Sequence, residues 1–252
     1  MTDAAPYEDV EIIAHRGDSW YAPENTMASV TSAWAKGADA VEVDVYLTKD
    51  GRVVALHDRT TGRTGDNDLH VNESTSEQLR LVDVGSWKGE AFAGEGIPFL
   101  GEIVASVPFG KRLFIEIKGT AETVPYIREI IEGSGKQDQI VVIGFELETV
   151  KESKAAMPDL PAYWLLSPPR DDQDSPLPLP MDVAATAEQN GLDGLNVNFR
   201  GISRELVDEC RRLGLGIFVW TVNEVADLEA MAQLGVDGIT TDRIDNAQAT
   251  LR

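Results

Sequence analysis

The chain's clearest chemical signal is a strand-like run with carboxylates at alternate positions, Val41-Glu42-Val43-Asp44-Val45. Strand side chains alternate faces, so Glu42 and Asp44 share one face and the three valines the other. In a barrel the valines pack against helices and the carboxylates point inward. Two unpaired interior carboxylates are costly and oppose each other's ionisation. A bound cation removes that conflict; the alternative is an edge strand with a solvated acidic face. Leu113-Phe114-Ile115-Glu116-Ile117-Lys118 repeats the pattern, with Glu116 and Lys118 opposite Ile115 and Ile117. By itself that pair reads equally as an ion pair inside a barrel. Beside Glu42 and Asp44 on a neighbouring strand, Glu116 becomes a third oxygen ligand. An all-carboxylate set suits a hard divalent cation, Mg²⁺ or Ca²⁺, over zinc.

Of the three histidines, two end apolar runs: His15 in Ile12-Ile13-Ala14-His15 and His57 in Val53-Val54-Ala55-Leu56-His57. A lone histidine at a strand end is usually structural or solvated. Two of them near a carboxylate cluster fit a proton-transfer pair, because imidazole titrates near neutrality. His70 lies in an irregular stretch and reads as surface. Arg16 offers a permanently charged planar fork for phosphate oxygens. Arg16, Lys118 and a divalent cation together would supply local positive charge.

These residues need elements to hold them. Short β-branched runs alternate with helix-period runs, which predicts repeated βα units and a parallel sheet. The predicted strands are Val10–Ala14, Ala40–Leu47, Leu113–Lys118, Ile140–Phe145, Tyr163–Leu166, Gly194–Asn198, Ile217–Val222 and Gly238–Thr241. Eight such strands define an α/β fold of the (β/α)₈ type, a TIM barrel. Ser203 is placed to cap a helix through Arg212, closed by Gly214. Asn223 is placed to cap a helix closed by Gly235. Pro23 suits the first turn of a helix running to Lys36. Tyr46 to His57 reads as a hairpin turning at Asp50-Gly51 and extending the second strand. Residues 59–108 read as a segment inserted after the second barrel strand, within a single barrel domain over 1–252. Ser167 to Pro180, rich in proline and aspartate, reads as a lid or a solvated loop on the face where barrel active sites form.

The net charge of −21 repels nucleic acid and anionic membrane. It does not bar an anionic substrate, because screening confines the effect to roughly 10 Å at ordinary salt. No apolar run approaches the roughly 20 residues needed to cross a bilayer, so no stable membrane insertion is expected. The polar N-terminus, Met1 to Asp9, lacks the regions of a signal peptide. The expected compartment is cytoplasmic by default, or secreted or periplasmic if a leader was removed. The single cysteine, Cys210, lies on a buried helical stripe and reads as packing. Nothing in the sequence specifies an oligomeric state.

The motifs His15-Arg16-Gly17, Pro23-Glu24-Asn25-Thr26, Glu42-x-Asp44 and His57-Asp58 occur in this order, followed by Glu116-Ile117-Lys118, Trp220-Thr221-Val222-Asn223 and Asp237-Gly238-Ile239-Thr240-Thr241-Asp242. As a set they resemble the glycerophosphodiester phosphodiesterase family, over about Ile12 to Asp242. The resemblance implies a TIM barrel of the PLC-like phosphodiesterase type. It implies hydrolysis of small-molecule glycerophosphodiesters to sn-glycerol 3-phosphate and an alcohol. By similarity Glu42, Asp44 and Glu116 hold the cation, and His15 and His57 act as acid and base. Arg16 and Lys118 hold the phosphate, and Phe145 and Trp220 line the pocket near the glycerol or alcohol end. Glu24 and Asn25 read as structural, fixing the loop that carries Arg16. The sequence departs from the family pattern at Gly144, where a serine is common, and at Arg59-Thr60-Thr61-Gly62-Arg63-Thr64, where Arg-Thr-Thr is expected. Two other readings share the barrel. One is a phospholipase-D-like enzyme releasing cyclic phosphates from lysophospholipids, disfavoured by an acidic chain without an exposed apolar stretch. The other is a catalytically silent barrel that binds phosphorylated ligands, disfavoured because no metal or histidine position is missing.

Overall fold

The structure, a computed structural model, describes residues 7–252; Met1–Pro6, part of the stretch read as lacking a signal peptide, lie outside them. The elements in chain order are β1 (Glu11–His15), α1 (Met27–Ala35), β2 (Ala40–Leu47), β3 (Val53–Ala55), α2 (Ser76–Arg80), α3 (Leu100–Ser106), β4 (Arg112–Ile117), α4 (Val124–Ser134), β5 (Ile140–Gly144), α5 (Leu147–Ala156), β6 (Ala162–Leu166), α6 (Asp182–Gln189), β7 (Gly194–Asn198), α7 (Arg204–Leu213), β8 (Gly216–Trp220), α8 (Val225–Leu234), β9 (Gly238–Thr241) and α9 (Ile244–Leu251). Eight of the strands pair in parallel in the order β1, β2, β4, β5, β6, β7, β8, β9, and β9 returns to β1. The ninth, β3, runs antiparallel to β2 as the return arm of the predicted hairpin.

Closure follows from the sequence pattern. Each strand sends β-branched or aliphatic side chains outward, as Val41, Val43 and Val45 do from β2, into one continuous core under the helices. Inward residues form a second cluster: Ile13, Ala40, Phe114, Val141, Ile143, Tyr163, Leu165 and Phe218. Its lower part is a stack of rings, with Phe218 4.8 Å from Tyr163 and 5.5 Å from Phe114 between centroids. The rings fit because neighbouring strands offer glycine: a Cβ on Gly238 would lie 2.8 Å from the Phe218 ring. The barrel is therefore a packed body with a mouth only where the inward residues become polar.

Several boundaries differ from the sequence reading. Leu100–Ser106 lies inside the stretch read as an insertion, yet Leu100, Ile103 and Val104 are fully buried in the main core. This helix is the barrel's own crossover between β2 and β4. The remainder builds a small separate core from Val71, Leu79, Val82, Val84 and Ile97 under Val54 and Leu56. Asn223 does not cap α8; Glu224 holds that position without a side-chain bond, and the Asn223 amide is committed to Asp242 and Thr241 instead. Pro23 lies in the loop before α1, whose N-cap is Thr26 in a capping box with Ser29. Ser203 does cap α7 and Gly214 closes it in the left-handed conformation. The segment 167–180 is irregular and largely exposed.

Candidate active site

The polar groups proposed for chemistry come from barrel strands, from residues just after them, or from the β3 hairpin arm. His15 is the last residue of β1, Glu42 and Asp44 lie on β2, Glu116 is near the end of β4, and Lys118 follows it. His57 comes two residues after β3, and the Leu56 N–H donates to the Asp44 carbonyl at 3.0 Å, so the hairpin folds His57 back beside the carboxylates. A cavity of about 290 Å³ is lined by His15, Arg16, Glu42, His57, Glu116 and Lys118, together with Phe145 and Trp220. Asp44 sits behind this lining, joined to it by Arg16 and Lys118.

Glu42, Asp44 and Glu116 are all buried, and each brings a carboxylate oxygen within 4.8 Å of the others. Glu42 Oε1 has no partner, while Asp44 Oδ1 and Glu116 Oε1 face only the Lys118 ammonium. Burial, with Asp44 and Glu116 close by, pushes Glu42 well above the usual carboxylate range. Burial and Asp44 raise Glu116 to about 7, although Lys118 opposes the shift. Lys118 Nζ lies 2.8 Å from Glu116 and 3.4 Å from Asp44, and Arg16 Nε lies 3.3 Å from Asp44. With all five groups ionised, three negative charges against two positive leave the cluster net negative. An anionic phosphodiester would be repelled unless a further cation were present. The unpartnered Glu42 oxygen and this charge balance fit a hard divalent ion at the three carboxylates.

The loop carrying Arg16 is held tightly. Arg16 and Asn25 both adopt positive φ, +56° each, and Gly17 follows at +79°. A Cβ on Gly17 would come within 2.5 Å of Ser29, so no other residue fits this turn. Asn25 justifies its strained backbone through Asp44: its Nδ2 donates to Asp44 Oδ2 at 2.8 Å, and its Oδ1 accepts from the Asp44 N–H at 3.0 Å. The Arg16 N–H donates to Glu42, and Arg16 Nη1 donates to Glu24 at 2.8 Å.

His15 and His57 each have a carboxylate behind them. His15 Nδ1 lies 2.7 Å from Asp242 Oδ1, and His57 Nδ1 lies 2.6 Å from Asp58 Oδ1. Burial alone would raise Asp242, but bonds from His15, Asn223 and Ser19 outweigh it and hold this carboxyl at about 2. Asp58 is likewise lowered, by Arg63 and His57 against its burial. An ionised carboxylate only accepts, so Nδ1 carries the proton in both rings and Nε2 is left to exchange one. Burial lowers His57 below the ordinary histidine value, with Asp44 partly opposing. The imidazole is therefore neutral at neutral pH.

Phe145 and Trp220 meet edge to face at 5.6 Å, and the indole Nε1 donates to the Asn196 carbonyl. The structure thus brings all of the sequence-predicted site residues to one end of the barrel, while His70 is exposed as expected. Sequence reasoning gave no role to the partners Asp58 and Asp242, to Arg63, or to Asn196, whose buried Oδ1 has no partner beside the cavity. The first two were signalled by place alone: one follows His57 directly, the other follows the last strand. The Arg59–Thr64 departure lies close to the chemistry, since Arg63 binds the carboxylate that holds His57. Outside the cavity lining, three rings, Trp20, Tyr21 and Trp87, are exposed. Among the described residues no helix is long and apolar enough to cross a membrane.

Known proteins match this arrangement over nearly the whole chain. The model of the glycerophosphoryl diester phosphodiesterase family matches residues 15–246. A glycerophosphodiester phosphodiesterase of Caldanaerobacter subterraneus subsp. tengcongensis is 36% identical over 238 residues, 92% of this chain and 93% of the relative. The structure of an Oleispira antarctica phosphodiesterase in complex with the product sn-glycerol-3-phosphate superposes with a TM-score of 0.87 at 27% identity, covering 96% of both chains. A glycerophosphodiester phosphodiesterase of Thermotoga maritima superposes with a TM-score of 0.77 at 26% identity, covering 96% of this chain and 98% of that one.

Proposed function

This chain belongs to the glycerophosphoryl diester phosphodiesterase family, and from that membership we propose that it hydrolyses glycerophosphodiesters to sn-glycerol 3-phosphate and an alcohol. The observation carrying this reading is the single cavity in which two histidines, two cations and a buried carboxylate cluster converge. Glu42, Asp44 and Glu116 would hold the cation, Mg²⁺ or Ca²⁺. Bound there, it would supply Lewis-acid polarisation of a phosphate oxygen and charge neutralisation.

The chain's own residues do the rest. Arg16 and Lys118 line the cavity as fixed positive groups for the non-bridging oxygens, where they counter charge developing in the transition state. Of His15 and His57, one takes a proton at Nε2 from the attacking hydroxyl and the other gives one to the departing alkoxide. The nucleophile is water, or the substrate's own hydroxyl through a cyclic phosphate that water then opens. Phe145 and Trp220 form an apolar wall for the glycerol or alcohol end. The test is glycerophosphocholine treated with enzyme stripped by EDTA, then with Mg²⁺ or Ca²⁺ restored. Cation-restored release of glycerol 3-phosphate supports the reading, and a transient cyclic phosphate in ³¹P NMR selects the second nucleophile. No release with either ion sinks it.

A second reading draws on the exposed rings of Trp20, Tyr21 and Trp87, with Arg243 4.3 Å over the Trp20 ring. Rings of this kind suit a lipid headgroup layer. The reaction would then be release of a cyclic phosphate from a lysophospholipid. Choline release from lysophosphatidylcholine exceeding that from glycerophosphocholine would select it.

A further inference from the structure

Arg63, within the inserted segment, reaches the site twice. Its Nε donates to Asp58 Oδ2 at 2.5 Å, and Nη1 and Nη2 donate to the two oxygens of Glu24 at 2.8 Å each. Asp58 is the carboxylate behind His57, and Glu24 is the one that grips Arg16. One guanidinium therefore stands between the partners of the proton-transfer group and of the phosphate-binding group. The chain of contacts runs His57, Asp58, Arg63, Glu24, Arg16, Asp44 without a break.

The platform beneath Arg63 is rigid. Thr61 is fully buried, its N–H donates to the Leu69 carbonyl, and its hydroxyl donates to the Asn67 carbonyl and accepts from the Leu69 N–H. Thr64 and Gly65 both donate back to the Thr61 carbonyl. Arg63 thus projects from a closed turn, and an arginine fork can hold two carboxylates at a fixed separation as no ammonium can.

We propose that Arg63 is a positioning residue that sets His57 through Asp58 and Arg16 through Glu24, coupling the order of the inserted segment to both halves of the site. This inference rests on the hydrolytic reading above, and its test separates the two. If Arg63 only stabilises the surface, its loss lowers stability and leaves the His57 ring alone. If it positions, its loss frees Asp58, and His57 loses its fixed Nδ1–H tautomer. The chain has only three histidines, so their ring ¹⁵N signals are separable.

The experiment compares wild type, Arg63→Met and Arg63→Lys, with Mg²⁺ or Ca²⁺ present, at about pH 8, where neutral imidazole prevails. In Arg63→Met the His57 nitrogen signals are expected to move toward mixed tautomers while those of His15 and His70 stay. The value of kcat for glycerophosphocholine is expected to fall on the order of 10- to 100-fold and KM to rise. Arg63→Lys, which spans one carboxylate but not both, is expected to recover part of kcat or of KM but not both. Unmoved His57 signals overturn the proposal, as do moved signals with unchanged kcat and KM. A wild-type enzyme inactive on the substrate would count against the hydrolytic reading alone. The nitrogen spectra would still decide whether Arg63 sets His57.

Discussion

His15 and Asp242 are 227 residues apart in sequence, yet His15 Nδ1 lies 2.7 Å from Asp242 Oδ1. The reason is closure: Ala14 on β1 pairs with Thr241 on β9, so the first and last strands meet at the site. Asp242 accepts from His15, Ser19 and the Asn223 amide together. Asp242→Asn would set an amide with one acceptor oxygen against those three donors. The expected result is a wrong His15 tautomer and a fall in kcat on the order of 10²–10⁴. A change of less than about threefold, measured with correct folding, would remove Asp242 from the machinery.

His15→Ala and His57→Ala should each lower kcat by roughly 10²–10⁴ while leaving the far-ultraviolet dichroism of the barrel intact. Neither ring is part of the apolar core, so little stability depends on them. Near-normal turnover in both variants would defeat the acid–base assignment.

The carboxylate cluster links cation, pH and stability. Glu116 titrates near its ordinary 4.5 when unfolded and at about 7 in the folded, cation-free chain. Between those values the folded state holds the extra proton, so cation-free stability should fall as pH rises through that window. A cation at 100 times its Kd should restore about 2.7 kcal/mol. Scanning Tm against pH, with EDTA and with Mg²⁺ or Ca²⁺, checks the sign. A cation-free Tm that climbs from about pH 5 to 7 would contradict it.

His57 sits below the usual histidine value because it is buried. If it is the base, activity requires its neutral form, and the acid limb of kcat/KM at saturating cation should lie below about pH 6.5. A limb above that value would assign the base role elsewhere.

Asn25→Ala loses both bonds to Asp44 and leaves alanine in a left-handed backbone. Cation affinity should weaken on the order of 10- to 100-fold, read by calorimetric titration. An unchanged affinity would show that the carboxylates orient themselves.

The parts of the fold that were legible are those where one rule dominates. The β2 and β4 patterns favoured carboxylates pointing inward over a solvated acidic edge, and the valines and isoleucines between them do pack under the helices. What stayed hidden depended on contacts across the chain. Asn223 looks like a cap by position, yet the stronger claim on its amide comes from Asp242, nineteen residues away. Leu100–Ser106 is too short for a clear helical period and follows a long stretch without a βα unit, so its place in the barrel shows only once Leu100 and Ile103 are seen buried. The carboxylates behind the histidines were visible as letters, but only closure shows which ring each one serves.

The ring stack of Phe114, Tyr163 and Phe218 has a kinetic consequence. It seals the barrel below the cavity, so whatever enters must leave by the same opening. Product departing and substrate arriving share one doorway, and occupancy by either excludes the other. If the chain hydrolyses glycerophosphodiesters, accumulated product is expected to compete with arriving substrate for that opening, which initial rates with added glycerol 3-phosphate would show.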